Sequence, residues 1–130
     1  MASNVQLVKD LYAAFGRGDV PAVLGAMDEK IDWQEPESLP FDDQIGPQAV
    51  AENIFGPVTT LLQNFSVTPA EILDAGEVVV AIGAYRGTGA DTGKDLDAAF
   101  THVWRIKDGK IAGFRTYTDT HQWLEVLGKA

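Results

Sequence analysis

A single α+β domain is the fold class this sequence predicts: a curved, mainly antiparallel sheet with helices on one face. Three observations point to it. Apolar residues recur at helical spacing in the first half of the chain, β-rich runs fill the second half, and Asp108-Gly109 lies between two of those runs as a short hairpin signal. The 130 residues suit one domain spanning 1–130, with no internal repeat or low-complexity stretch to divide it.

The elements follow in order. Ser3 and Gln6 have the spacing of a capping box, and Val5, Val8, Leu11, Tyr12 and Phe15 continue it as a helical stripe that Gly16 and Gly18 end. Asp19 caps a second helix, with Pro21 in its first turn and Val20, Val23, Leu24 and Met27 as its buried side. Ile31 to Glu35 alternates as a strand, with Ile31, Trp33 and Glu35 on one face, and Pro36 stops it. A loop runs to Ile45. Gly46-Pro47 opens a third helix reaching Leu62, kinked or broken at Gly56-Pro57 because proline removes a backbone donor. Phe65 to Leu73 is a strand that Pro69 confines to a sheet edge or makes irregular. Asp74-Ala75-Gly76 is a turn, Val78 to Arg86 a strand, and Thr88 to Lys94 a loop. Asp97 to Lys107 and Lys110 to Asp119 are the arms of the hairpin, and His121 to Leu127 is a terminal helix.

A two-residue turn at Asp108-Gly109 sets a register. Lys107 then lies opposite Lys110, and Ile106 faces Ile111, Trp104 faces Gly113, His102 faces Arg115, Phe100 faces Tyr117, and Ala98 faces Asp119, these last five pairs all on one sheet face. Val103, Phe114 and Thr116 fall on the other face. A face that mixes large apolar groups with His102, Arg115, Tyr117 and Asp119 is not a plain core, because each unpaired buried polar group is costly. A cavity, apolar at its closed end near Trp104 and Ile106, accounts for the mixture.

Composition excludes several classes. The chain has no cysteine, which removes disulfides and thiolate chemistry. Its net charge of -9 repels phosphate backbones, so nucleic acid is not an expected partner. The longest apolar run, Val78 to Tyr85, is too short to span a bilayer, and the N-terminus carries no signal-peptide pattern, so a cytoplasmic protein without a membrane partner is expected.

These elements and motifs resemble the nuclear transport factor two-like superfamily, and within it the SnoaL-like branch that includes polyketide cyclases. Ketosteroid isomerases and limonene epoxide hydrolases share that fold. The likeness rests on Leu11-Tyr12-Ala13-Ala14-Phe15 with Gly18-Asp19, Ile31-Asp32-Trp33-Gln34-Glu35-Pro36, Gly46-Pro47-Gln48-Ala49-Val50, and the stretch from His102 through Asp108-Gly109 to Asp119. It implies a cone-shaped sheet wrapped around helices, with a pocket at the open end and a homodimer formed through the outer sheet face. Val103, Phe114 and Thr116 are the interface candidates. Glu35-Pro36 matches the carboxylate-before-proline of the isomerases' base. His102 falls near their acidic oxyanion donor, while Tyr12 is about one residue out of step with their tyrosine donor. Asp119 matches the cyclases' acid/base. Phe100 and His102 stand where the epoxide hydrolases need an arginine and an aspartate, which disfavours that triad.

The catalytic candidates are therefore Glu35, His102, Asp119 and Arg115, and the substrate-binding candidates are Tyr12, Trp33, Tyr85, Phe100, Trp104 and Tyr117. Each also has a structural reading. For Glu35 it is a strand end in solvent, and for His102 a bond to a cross-strand neighbour. Asp119 with Gln122 has the form of a helix cap, and for Arg115 the structural reading is a pair with Asp119 or Glu35. The aromatic residues are also ordinary core material. His102 and His121 form no close ligand pair, so neither metal nor cofactor is expected, and Ser3, Ser38 and Ser66 sit in no nucleophile setting. The expected function is a cofactor-independent acid/base enzyme, an isomerase or cyclase acting on a small, largely apolar carbonyl compound. The alternative is a non-catalytic module of the same fold that binds a small hydrophobic or aromatic ligand or serves dimerisation.

Overall fold

The structure is a computed structural model and describes residues 3–130. Helix α1 (Asn4–Gly16) starts at Ser3, whose hydroxyl accepts from the Gln6 amide at 3.1 Å. The Gln6 side chain completes no capping box, because it donates to Asp10 instead. Asp19 caps α2 (Val20–Gly25) by accepting from the Ala22 amide. Strand β1 (Met27–Gln34) is longer than the alternation alone implied. It buries Met27, Ile31 and Trp33.

The stretch expected to be loop up to Ile45 ends in a short strand, β2 (Gln44–Ile45), antiparallel to β1. The expected third helix is divided. A four-residue α3 (Pro47–Val50) passes into a widened π-type segment (Ala51–Phe55) and then into α4 (Gly56–Leu61). Pro57 explains the division. It has no N–H to donate and its ring crowds the preceding turn, so the helix widens just before it rather than ending.

Four strands complete a six-stranded sheet: β3 (Leu62–Ala75), β4 (Val78–Gly89), β5 (Asp95–Lys107) and β6 (Lys110–Thr118). The order is β2-β1-β6-β5-β4-β3, with β1 parallel to β6 and the other pairs antiparallel. Pro69 lies on the edge strand β3 at a register shift, where its missing N–H breaks no ladder. Helix α5 (Thr120–Val126) follows β6, with Asp119 at its N-cap accepting from the Gln122 amide. The sheet is curved and unclosed. Its inner face and the N-terminal helices enclose one aromatic core containing Trp33, Phe100, Trp104, Phe114 and Trp123.

The hairpin corrects one expectation. Asp108-Gly109 does form the turn, with Lys107 opposite Lys110 and Ile106 opposite Ile111. The register then slips by one residue at Ala112, and Arg105 pairs with Gly113. The bulge lets Ile111 and Phe114, three positions apart, both enter the core, which strict alternation forbids. Beyond it the side chains of β6 are inverted relative to the expectation. His102 faces Thr116, not Arg115; Phe100 faces Thr118, not Tyr117. Phe114 and Thr116 are buried on the inner face and are not interface candidates, while Arg115 and Tyr117 point outward. Val103 keeps its outward position. Its face also carries Val78, Val80 and Ile82 of β4, together with the exposed Leu73 and Tyr117.

Candidate functional site

A cavity of about 70 Å³ opens between the inner sheet face and the helices. Its wall is almost wholly apolar and aromatic, with Leu11, Phe15, Phe55, Phe65 and Trp123 among the lining residues. The polar groups that line it are Glu35, Tyr12, His102, Tyr85, Thr116 and Thr118, joined by the indoles of Trp33, Trp104 and Trp123. No lysine or arginine faces it among the described residues.

Glu35 stands immediately after β1, so its side chain follows Ile31 and Trp33 toward the interior. One carboxyl oxygen accepts from the Trp33 indole Nε1 at 2.7 Å. Its main-chain amide donates to Asp43 at 2.8 Å, which ties the strand end to the following loop. Burial pushes its pKa up to about 7, the Trp33 bond opposes the rise, and the neighbouring Asp43 charge adds to it.

His102 is buried on β5 and has a tyrosine on each ring nitrogen. Nδ1 lies 2.6 Å from the Tyr12 hydroxyl on α1, and Nε2 lies 2.5 Å from the Tyr85 hydroxyl on β4. Tyr12 also accepts from the Trp104 indole at 2.9 Å, and Tyr85 reaches the Thr116 hydroxyl at 2.9 Å. Burial holds the imidazole pKa well below its usual range, so the ring is neutral at pH 7. Burial keeps both tyrosines protonated, and at Tyr85 the Glu35 charge acts in the same direction.

Six of the ten candidate residues thus line one cavity: Glu35, His102, Tyr12, Trp33, Tyr85 and Trp104. Phe100 lies beneath it, stacked on His102 with ring centroids 3.8 Å apart, and supports the imidazole. Arg115, Tyr117 and Asp119 lie elsewhere. The Ala112 bulge turns Arg115 outward, where it donates to Gln34 and lies over the Tyr117 ring. Tyr117 is 52% exposed. Asp119 is exposed and engaged as the α5 cap. Among the lining residues that sequence reasoning misses, Thr116 and Trp123 bear most on the site. An unbulged register puts Thr116 on the opposite face. Trp123 enters from α5, and its buried indole N–H has no hydrogen-bond partner among the described residues. Its spacing to Val126 was the available signal, since the two share one helix face.

A SnoaL-like domain model matches residues 8–114. The chain belongs to the SnoaL-like family. Solved structures extend the likeness of this SnoaL-like protein over nearly its whole length. An NTF2-like protein from Burkholderia thailandensis is 30% identical, with a TM-score of 0.94 over 98% of each chain. An NTF2-like protein of unknown function from Burkholderia pseudomallei is 29% identical, with a TM-score of 0.89 and 98% of each chain covered. TerC, co-crystallised with polyporic acid, is 24% identical with a TM-score of 0.88, over 98% of this chain and 99% of its own, and carries the likeness of fold alone. No protein of curated function matches the chain.

Proposed function

We propose that this SnoaL-like protein is a cofactor-independent acid/base enzyme acting on a small, largely apolar carbonyl compound. The observation that carries the reading is the meeting of the Glu35 carboxyl with the Tyr12, Tyr85 and Thr116 hydroxyls in one apolar cavity. Ionised Glu35 takes a proton from the carbon next to the carbonyl. The C–H electron pair moves into a new C=C bond, and the C=O pair moves onto oxygen, where a hydroxyl of the His102 network donates to the growing negative charge. Returning the proton at a different carbon completes an isomerisation. Attack of the enolate carbon on a second carbonyl within the same molecule forms the new C–C bond, moves that carbonyl's π pair onto its oxygen, and ends with the proton held by Glu35 passing to that oxygen, which completes an aldol cyclisation. A pKa near 7 suits the base, because the carboxylate is populated at neutral pH yet holds a proton strongly enough to take one. The absence of lysine and arginine from the lining favours a neutral substrate over a carboxylate.

Deuterium exchange tests this without the natural substrate. In D₂O the protein should speed exchange of the protons beside the carbonyl of 2-indanone, and Glu35→Gln should abolish that acceleration. Saturable binding of 2-indanone with no acceleration by the wild type would favour the ligand-binding module instead.

The outward sheet face supports a homodimer, which we also propose. Val78, Val80, Ile82 and Val103 form an apolar strip that a second copy would cover. Solution mass should be that of a dimer, and Val103→Glu should shift it to the monomer. A monomeric wild type contradicts this.

A further inference from the structure

The network around His102 has a proton count that constrains what the cavity recognises. Four contacts link five groups in a row: Trp104 to Tyr12, Tyr12 to His102, His102 to Tyr85, and Tyr85 to Thr116. Each contact uses one proton. A neutral imidazole carries one, as do the indole and each of the three hydroxyls, so five protons serve four bonds. The indole can only donate, which assigns the first bond to Trp104. One proton among the remaining four groups is left without an internal partner. His102 cannot hold it, because then both ring nitrogens would have to accept while one of them carries hydrogen. The uncommitted hydrogen belongs to Tyr12, Tyr85 or Thr116, and all three line the cavity.

We propose that this chain is a reversible hydrogen-bond relay offering one donor to one acceptor oxygen of the ligand, with His102 as a positioning residue that does not touch the ligand. This deepens the carbonyl-compound reading and rests on the cavity being a ligand site. It gives the ligand's contact with the relay a definite chemistry: one carbonyl-type oxygen that accepts the single uncommitted hydrogen, distinct from the indole N–H of Trp123, which also lines the cavity. The site of the ligand oxygen and the tautomer of His102 are locked together. An oxygen at Tyr12 requires hydrogen on Nδ1, since His102 must then donate to Tyr12. An oxygen at Tyr85 or Thr116 requires hydrogen on Nε2, since Tyr12 must then donate to His102.

Nitrogen-15 NMR of the histidine-labelled full chain at pH 7 tests the relay, with acetophenone as the probe and α-methylstyrene as its isostere lacking the oxygen. Acetophenone should lock His102 in one tautomer, and α-methylstyrene should leave the ring-nitrogen signals as in the free protein. The tautomer then forecasts the mutants. If hydrogen is on Nδ1, Tyr12→Phe should weaken acetophenone binding by roughly 2- to 12-fold and spare α-methylstyrene, with Thr116→Val and Tyr85→Phe having less effect. If hydrogen is on Nε2, the weakening should fall on Tyr85→Phe or Thr116→Val. Thr116→Val, which is close to isosteric, keeps the test usable where a tyrosine variant fails to fold. Binding of both probes with identical His102 signals would overturn the relay and leave the ligand cavity standing. Tautomer and mutants in disagreement would overturn it too. Failure of both probes to bind at solubility-limited concentration would overturn the ligand-site reading, and the relay with it.

Discussion

Glu35 accepts a 2.7 Å hydrogen bond from the indole of Trp33, the residue two positions before it. Side chains two apart on a strand share a face, so the bond holds one carboxyl oxygen at the cavity wall. Among the described residues the other oxygen makes no hydrogen bond. Held on one side and open on the other, the carboxyl has the arrangement a positioned base requires.

Glu35→Gln should lower turnover on any substrate of this site by roughly 10²- to 10⁴-fold. In the wild type, kcat/KM should rise with pH through about 7, where the carboxyl ionises. Retention of full turnover by Glu35→Gln would remove Glu35 from the mechanism.

Trp33→Phe keeps an aromatic ring against Phe114 but deletes the donor to Glu35. That bond lowers the carboxyl pKa. Its loss should move the rising limb of the pH profile to higher pH, with the plateau above it largely retained. A limb that stays in place would mean the indole does not tune the base.

Stability should depend on pH through two opposing groups. The Glu35 pKa is raised on folding from 4.5 to about 7, so its contribution is fully present below pH 4.5 and falls, by at most about 3 kcal/mol, as pH rises to 7. His102 is shifted down on folding, so the unfolded chain takes up its proton first and stability is lost as pH falls below about 6.5. Between these limits the two slopes offset one another. Glu35→Gln should expose the histidine slope, giving a protein whose denaturant midpoint climbs steadily from pH 5 to 7. An unchanged pH dependence in that variant would contradict the assigned burial.

Arg115→Ala and Asp119→Ala separate the two faces of the sheet. Neither side chain enters the cavity, so both variants should keep turnover within a few-fold. Asp119→Ala should cost about 1 kcal/mol of stability through loss of the α5 cap. Chemical denaturation alongside the exchange assay checks both. A hundredfold loss in either would mean the site extends to the outer rim.

The contrast between Glu35 and Arg115 shows what was legible in the sequence. Glu35 follows a strand with no irregularity between it and Trp33, so simple alternation placed it correctly. The Ser3, Asp19 and Asp119 caps were equally readable, because each depends on contacts within one turn. Arg115, Thr116 and Tyr117 lie beyond a one-residue bulge that nothing at Ala112 itself announces. The spacing of Ile111 and Phe114 implied it only once the shared core was known. The Tyr12–His102–Tyr85 contacts join residues 90 and 17 positions apart. Local pattern carries no information about such pairings, and the sheet's curvature decides them.

Gly83 illustrates how closely the support of the site is packed. A Cβ there would collide with the Thr68 carbonyl and the ring of Phe100, the same ring that stacks on His102. Gly83→Ala should destabilise by roughly 1–3 kcal/mol and disturb the His102 ring signals. Thermal denaturation and NMR together check this, and a variant of wild-type stability would contradict the packing described.

The most direct measurement is the titration of the Glu35 carboxyl by carbon-13 NMR on glutamate-labelled protein, with Glu35→Gln to assign its signal. A midpoint near 7 is expected, with a further displacement when 2-indanone enters the cavity. A midpoint near 4.5 that ignores the ligand would mean the carboxyl is solvated, and the proposal of a buried base would be wrong.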